Sequence, residues 1–233
     1  MSREITFQKV LQTETVQQAS TLGERHYTAD GRRWIFVKAN EALTLAHVAT
    51  RIANTTVTNI TSTSNNGRSQ TVFIAKTGAG WTVGQFQNAY GLVDDGTGEG
   101  QFFKVKDNTA TVLELFEDYR ITTALDTTSD LRVARPHLAE KVAITVLNQV
   151  IIGGAQVAFA ANDYGWLLER GHGTVLMGDT AIANEQVTTG DDTAGECIAV
   201  TNSETVDDVS LVGRVIAANT TADKAALIEF NVW

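Results

Sequence analysis

The chain has 233 residues, 43% of them hydrophobic and 19% charged, with a formal net charge of -9. That length and apolar content suffice for a substantial core and exclude wholesale disorder, while an acidic chain whose 18 Lys and Arg are scattered lacks the basic footprint of a nucleic-acid binder. The one cysteine, Cys197, excludes an intramolecular disulfide and a cysteine-based zinc site.

Residues 1 to 21 are polar, and Ile5, Phe7, Val10, Leu11 and Val16 fall at spacings that suit neither strand nor helix, so the segment reads as an extended N-terminal arm. Two readings of it stand open, a frayed terminus and a strap that orders against another subunit. Its first residues lack the apolar centre of a secretory signal, and no apolar run approaches the ~18 residues of a membrane-spanning helix. The expectation is a chain made in a reducing cytoplasm, with no membrane partner.

Asp30-Gly31, between His26 and Val37, sits between two strand-forming stretches and signals a hairpin. From Ala42 to Ile52 the residues Leu45, Val48, Ala49 and Ile52 share a helical face, but the β-like flanks favour a strand and loop. Thr55 to Gly67 is rich in Thr, Asn and Ser, reads as a turn or linker, and sets the first domain boundary.

A second unit follows, with a strand at Thr71 to Ala75 and a loop at Gly78 to Gly84 that carries Trp81. Val93 to Asp130 reads as a β-meander: Asp95-Gly96, Gly98 and Gly100 supply its turns, and Phe103/Val105 and Leu113/Leu115 supply apolar pairs at pleat spacing. Pro136, the only proline, marks the exit from this unit.

Lys141 to Ile152 reads as a core strand, with Val142, Ile144 and Val146 on one face. Further strands are expected at Tyr164 to Leu168, Thr174 to Met177, Glu196 to Val200, Leu211 to Ile216 and Ala226 to Val232, where Ile228, Phe230 and Val232 share a face. The fold class is all-β: an N-terminal arm (1–21) followed by two β-sandwich or barrel-like modules. One is a discontinuous β module (22–62 plus 137–233), and the other is a middle β-meander module (63–136).

Catalytic patterns are missing. His26, His47, His137 and His172 are dispersed, and His172 between Gly171 and Gly173 reads as a turn. Asp94-Asp95 with Glu99 lacks the alternating acidic positions of a calcium loop. Gly96-Thr97-Gly98-Glu99-Gly100 has no lysine and precedes a strand, so it is no phosphate loop. Cys197 on a strand reads as a small buried residue. The expectation is no enzyme, no cofactor and no metal. Trp34, Trp81, Trp166 and Tyr164 leave sugar binding open beside a plain core role.

Three blocks carry a resemblance. They are Leu22-Gly23 through Tyr27-Thr28-Ala29-Asp30-Gly31-Arg32 to Val37-Lys38-Ala39; Asp95 to Gly100 through Asn108-Thr109-Ala110 to Thr122 to Asp130; and Tyr164-Gly165-Trp166-Leu167 with Gly171, Gly178-Asp179-Thr180-Ala181-Ile182 and Gly195. In these the chain resembles structural proteins of tailed-bacteriophage virions, in particular capsid decoration or cement proteins. The resemblance implies a non-enzymatic β-rich protein on the outer capsid surface of the virion, commonly a homotrimer, bridging copies of the major capsid protein and stabilising the shell. On that reading Ile5, Phe7, Val10, Leu11 and Trp233 contact partners. Two alternatives stand beside it, a tail or head-fibre component and a carbohydrate-binding β module using Trp81 or Trp166.

Overall fold

Short β-branched and aromatic runs alternate with Gly, Asn and Asp turn residues along the chain, and among the described residues most of these runs are strands. The structure, a computed structural model, describes residues 3–17, 20–51, 55–64, 73–135, 138–141, 150–189, 194–200, 211–217, 221–222 and 224–232. Its elements begin with β1 (Arg3–Glu4), α1 (Phe7–Val10), β2 (Arg25–Tyr27), β3 (Arg33–Ala39) and β4 (Val48–Arg51). Next come β5 (Thr55–Val57), β6 (Ser62–Ser64), β7 (Phe73–Ala75), β8 (Tyr90–Asp95), β9 (Phe102–Asn108), β10 (Val112–Leu115) and β11 (Asp130–Ala134). The last are β12 (Leu138–Lys141), β13 (Ile151–Ala155), β14 (Tyr164–Met177), β15 (Gln186–Thr189), β16 (Cys197–Ala199), β17 (Leu211–Ala217) and β18 (Lys224–Asn231). Among the described residues the fold is all-β apart from the single turn of α1.

The chain divides into two compact units, one made of Met1–Arg51 with His137–Trp233 and the other of Ile52–Pro136. The first boundary therefore lies at residue 52 and not at 63. The physical reason is strand pairing: β5 bonds to β11 and β6 to β7, so the Thr-rich stretch read as a linker supplies two strands to the middle unit. Residues 65–67 of that stretch lie outside the described residues.

In the discontinuous unit the sheet closes on itself twice. Strands β3, β12, β4, β13 and β14 form one ring, closed by β14 on β3, and β14, β16, β15, β17 and β18 form a second, closed by β18 on β14. One strand serves both rings. The first half of β14 pairs with β3 and the second with β18, and at the change of partner Gly171 takes φ +104, a conformation that L side chains rarely adopt. The expected pair of strands at 164–168 and 174–177 is thus a single strand, and His172 sits exposed within it and not in a turn.

Pleat alternation sorts the core. Ile35, Val37 and Leu167 pack with Leu43, Ala49, Ala155 and Phe159, while Trp34, Phe36 and Trp166 point to the opposite face. Both faces of β3 are buried, which is why its Trp-Ile-Phe-Val run is continuously apolar. Inside the second ring lie Val175, Met177, Val187, Cys197, Val215, Ile228 and Phe230. Ile228, Phe230 and Val232 share the buried face as their spacing predicts.

The arm lies on its own unit. β1 pairs in parallel with β2, and Glu14 and Tyr164 exchange backbone hydrogen bonds of 2.8 and 2.7 Å. Ile5 and Val10 are buried in the cluster that holds Trp34, Phe36 and Trp166. The Asp30-Gly31 hairpin forms between β2 and β3, and residues 42–51 are a loop followed by β4.

The expected strand over 141–152 is corrected at both ends, with 142–149 outside the described residues. β12 and β13 both run antiparallel to β4 on its two edges, so they share a direction and belong to different strands. Strand β15 was not expected.

In the middle unit seven strands in the order β5-β11-β8-β9-β10-β7-β6 pair antiparallel throughout and curl around Val57, Ile74, Phe86, Phe103, Val105, Leu113, Leu115 and Leu131. Gly96, Gly98 and Gly100 all have positive φ at the β8–β9 turn, as that turn requires. Buried Asn108 pins the 78–89 loop: its Oδ1 accepts from Phe86 N at 2.6 Å and its Nδ2 donates to Thr82 O at 2.9 Å.

Candidate functional site

The chemically suggestive groups of the sequence fold into structural roles. Asp94 pairs with Arg132 at 2.7 Å, and in the glycine loop the Gly96 and Thr97 amides donate to the Asp95 and Thr128 side chains, contacts that brace the turn. Among the described residues no group of three or more His, Cys, Asp or Glu gathers with metal-ligating geometry. Cys197 is fully buried, and burial together with Glu196 pushes its thiol far above the ordinary cysteine range, away from the reactive thiolate.

The aromatic residues singled out as sugar platforms are engaged elsewhere. Trp34 is fully buried and Trp166 only 2% exposed, so Trp166 presents no exposed ring. Tyr164 stacks on Phe36, and Trp81 packs edge-on against Phe86 at 5.5 Å.

Of the expected contact residues, Ile5 and Val10 lie inside the protein and Leu11 packs half-buried against the same cluster. Burying them against their own unit leaves Phe7, at 45%, and Val16, at 69%, as exposed apolar side chains of the arm, with the Arg32 guanidinium 4.4 Å from the Phe7 ring. Trp233 lies outside the described residues.

A surface that the sequence reading did not assign lies on the middle unit. Alternation turns Val93, Phe103 and Val105 inward, and so turns Tyr90, Leu92, Phe102 and Lys104 outward. Register then sets Leu92 opposite Phe102 and Tyr90 opposite Lys104. Tyr90 and Phe102 stack at 5.8 Å and 17°, Tyr119 meets Phe102 at 5.8 Å, and the Lys104 ammonium lies 5.2 Å from Tyr90 and 5.0 Å from Phe116. Phe102 is 52% exposed and Leu92 40%. An antiparallel sheet with one buried face normally shows polar residues on the other, so an outward aromatic cluster is the informative departure. The signal in the sequence is Phe102-Phe103, because two adjacent phenylalanines in a strand cannot both point inward.

Compared with known proteins, the chain matches no family model, no curated protein and no solved structure.

Proposed function

We propose that this protein is a non-enzymatic virion structural protein that binds the outside of a phage capsid and stabilises it, as a homotrimer bridging major capsid proteins. The observation that carries the reading is the outward cluster of Tyr90, Leu92, Phe102 and Tyr119 on the middle unit. Protein interfaces are anchored by clustered aromatic side chains of this kind, and many copies on a symmetric shell turn modest affinity per contact into lasting attachment. The sequence resemblance to decoration proteins points the same way.

The carbohydrate-binding reading is the weaker one, because sugar recognition needs a free aromatic face, and Trp166 is buried while Trp81 packs edge-on against Phe86. A tail or head-fibre component would use the same kind of surface at a different place on the particle.

The test is co-sedimentation with undecorated phage heads, using the wild type and a Leu92→Asp/Phe102→Asp variant whose circular dichroism is unchanged. Saturation of heads by the wild type at a fixed stoichiometry, lost in the variant, is the expected result, with light scattering giving a trimer. A wild type that ignores heads and marks tails in labelled micrographs overturns the reading.

A further inference from the structure

The outer surface of the second ring carries a groove of about 340 Å³, lined by Arg170, Gln186, Arg214, Glu229 and Asn231 over the backbone of Gly213 and Phe230. That is the small end of the range for ligand pockets. Strand register assembles it from distant parts of the chain: Arg170 faces Asn231 across β14 and β18, Glu229 faces Arg214 across β18 and β17, and Arg214 faces Gln186 across β17 and β15. Ile228, Phe230 and Val215 fill the interior behind them, so the polar side chains stand outward together.

Among the described residues the two guanidiniums differ from those that carry the structural ion pairs and share their state with Arg51 and Arg120, but only these two line one groove. Arg25, Arg32, Arg33 and Arg132 each hold a carboxylate within 2.9 Å. Arg170 and Arg214 form no ion pair among the described residues, although Glu229 stands directly opposite Arg214 in the sheet. In a chain with 27 acidic and 18 basic residues, a groove lined by two arginines and one glutamate is locally positive.

We propose that this groove binds a carboxylate, and that its occupant is an acidic side chain presented on a protein segment. A guanidinium fork matches a carboxylate in two parallel N–H···O bonds, and two forks in one groove can hold both oxygens. The Gln186 and Asn231 amides add donors. Glu229 is an acceptor at the same groove, where it repels a bare anion but takes an N–H from the backbone next to an acidic side chain. Charge complementarity thus favours Asp or Glu within a peptide over a small free acid. This site lies on the other unit from the aromatic surface and does not depend on the capsid reading.

The experiment is fluorescence anisotropy of the full chain with a labelled peptide alternating Glu and Ser, against the same peptide with Gln for Glu. Arg170→Gln and Arg214→Gln are compared with Arg120→Gln, an exposed arginine of the middle unit. Melting curves confirm that each variant is folded, which exposed positions allow. Saturable binding of the acidic peptide, weakened about tenfold or more by either groove substitution and unchanged by Arg120→Gln, is expected for loss of one charge-assisted pair. Equal binding of the Gln peptide, equal loss in all three variants, or no saturation overturns the proposal. Full competition by free glutarate at the concentration of the peptide overturns the assignment to a protein segment.

Discussion

Arg25 and Glu169, 144 positions apart in the chain, are joined by a bidentate ion pair in which Nε lies 3.0 Å from both carboxylate oxygens and Nη2 lies 2.9 Å from Oε1. Glu169 is only 4% exposed and also holds Arg33 at 2.9 Å, so one carboxylate ties β2, β3 and β14 together. Removing one member of a fully buried pair costs roughly 3–5 kcal/mol. Here the Arg25 side chain is 53% exposed and regains water, so Glu169→Ala is expected to cost about 2–3 kcal/mol, carried mainly by Arg33 left without its counter-charge. Urea unfolding checks this: an unchanged midpoint would show that the clamp contributes nothing.

The arm behaves as part of the core. Val10→Ala deletes two methyl groups from a fully buried position and is expected to cost about 1.5 kcal/mol at ~0.8 kcal/mol per group. Deleting residues 1–12 uncovers the cluster with Trp34, Phe36 and Trp166, so the melting temperature falls, tryptophan emission shifts to the red and a hydrophobic dye binds. An arm that merely awaits a partner would leave all three unchanged.

The parts of the fold legible in the sequence are those fixed locally. Asp30-Gly31 encodes its hairpin by turn chemistry alone, and the Phe103/Val105 and Leu113/Leu115 pairs encode their buried face by period. Strand β14 was hidden because Gly171 and Gly173 look like breakers, while in the sheet they sit where the strand changes partner. The Thr-rich stretch at 55–64 reads as linker because its strands sit at sheet edges, where polar residues are tolerated and pairing alone decides. The groove around Arg170 and Arg214 was invisible for another reason: register between strands far apart in sequence assembles it, and no local pattern records register.

Gly91 on β8 allows a close approach that no other residue permits. A Cβ there would occupy the space of the Phe103 ring, which is fully buried. Gly91→Ala therefore forces Phe103 out of position and is expected to destabilise the middle unit by about 1–3 kcal/mol, as overpacking does. Combining it with Phe103→Leu should recover part of the loss. Denaturation of the single and double variants gives the coupling, and strict additivity would show that the two positions do not collide.

The hairpin turn carries an acid-sensitive contact. The Arg32 guanidinium beside Asp30, at 2.6 Å, and the Thr28 hydroxyl, also at 2.6 Å, hold the Asp30 carboxyl down to about 2 from an ordinary value of 3.8. A depressed folded-state value means that the unfolded chain takes up the proton first as pH falls. The stabilisation is therefore complete above about pH 5 and lost progressively between about pH 5 and pH 1, below both values. With Asp30 half-exposed the contribution is small, but Thr28 also accepts from the buried Trp34 indole at 3.3 Å, so the turn reports on the core. Asp30→Asn is expected to be less stable than the wild type at pH 7, with the difference shrinking to a small fraction of its pH 7 value by about pH 2. The difference in urea midpoint, followed by tryptophan emission across that range, measures the effect, and a difference at pH 2 as large as that at pH 7 would mean that Asp30 acts through packing and not through charge.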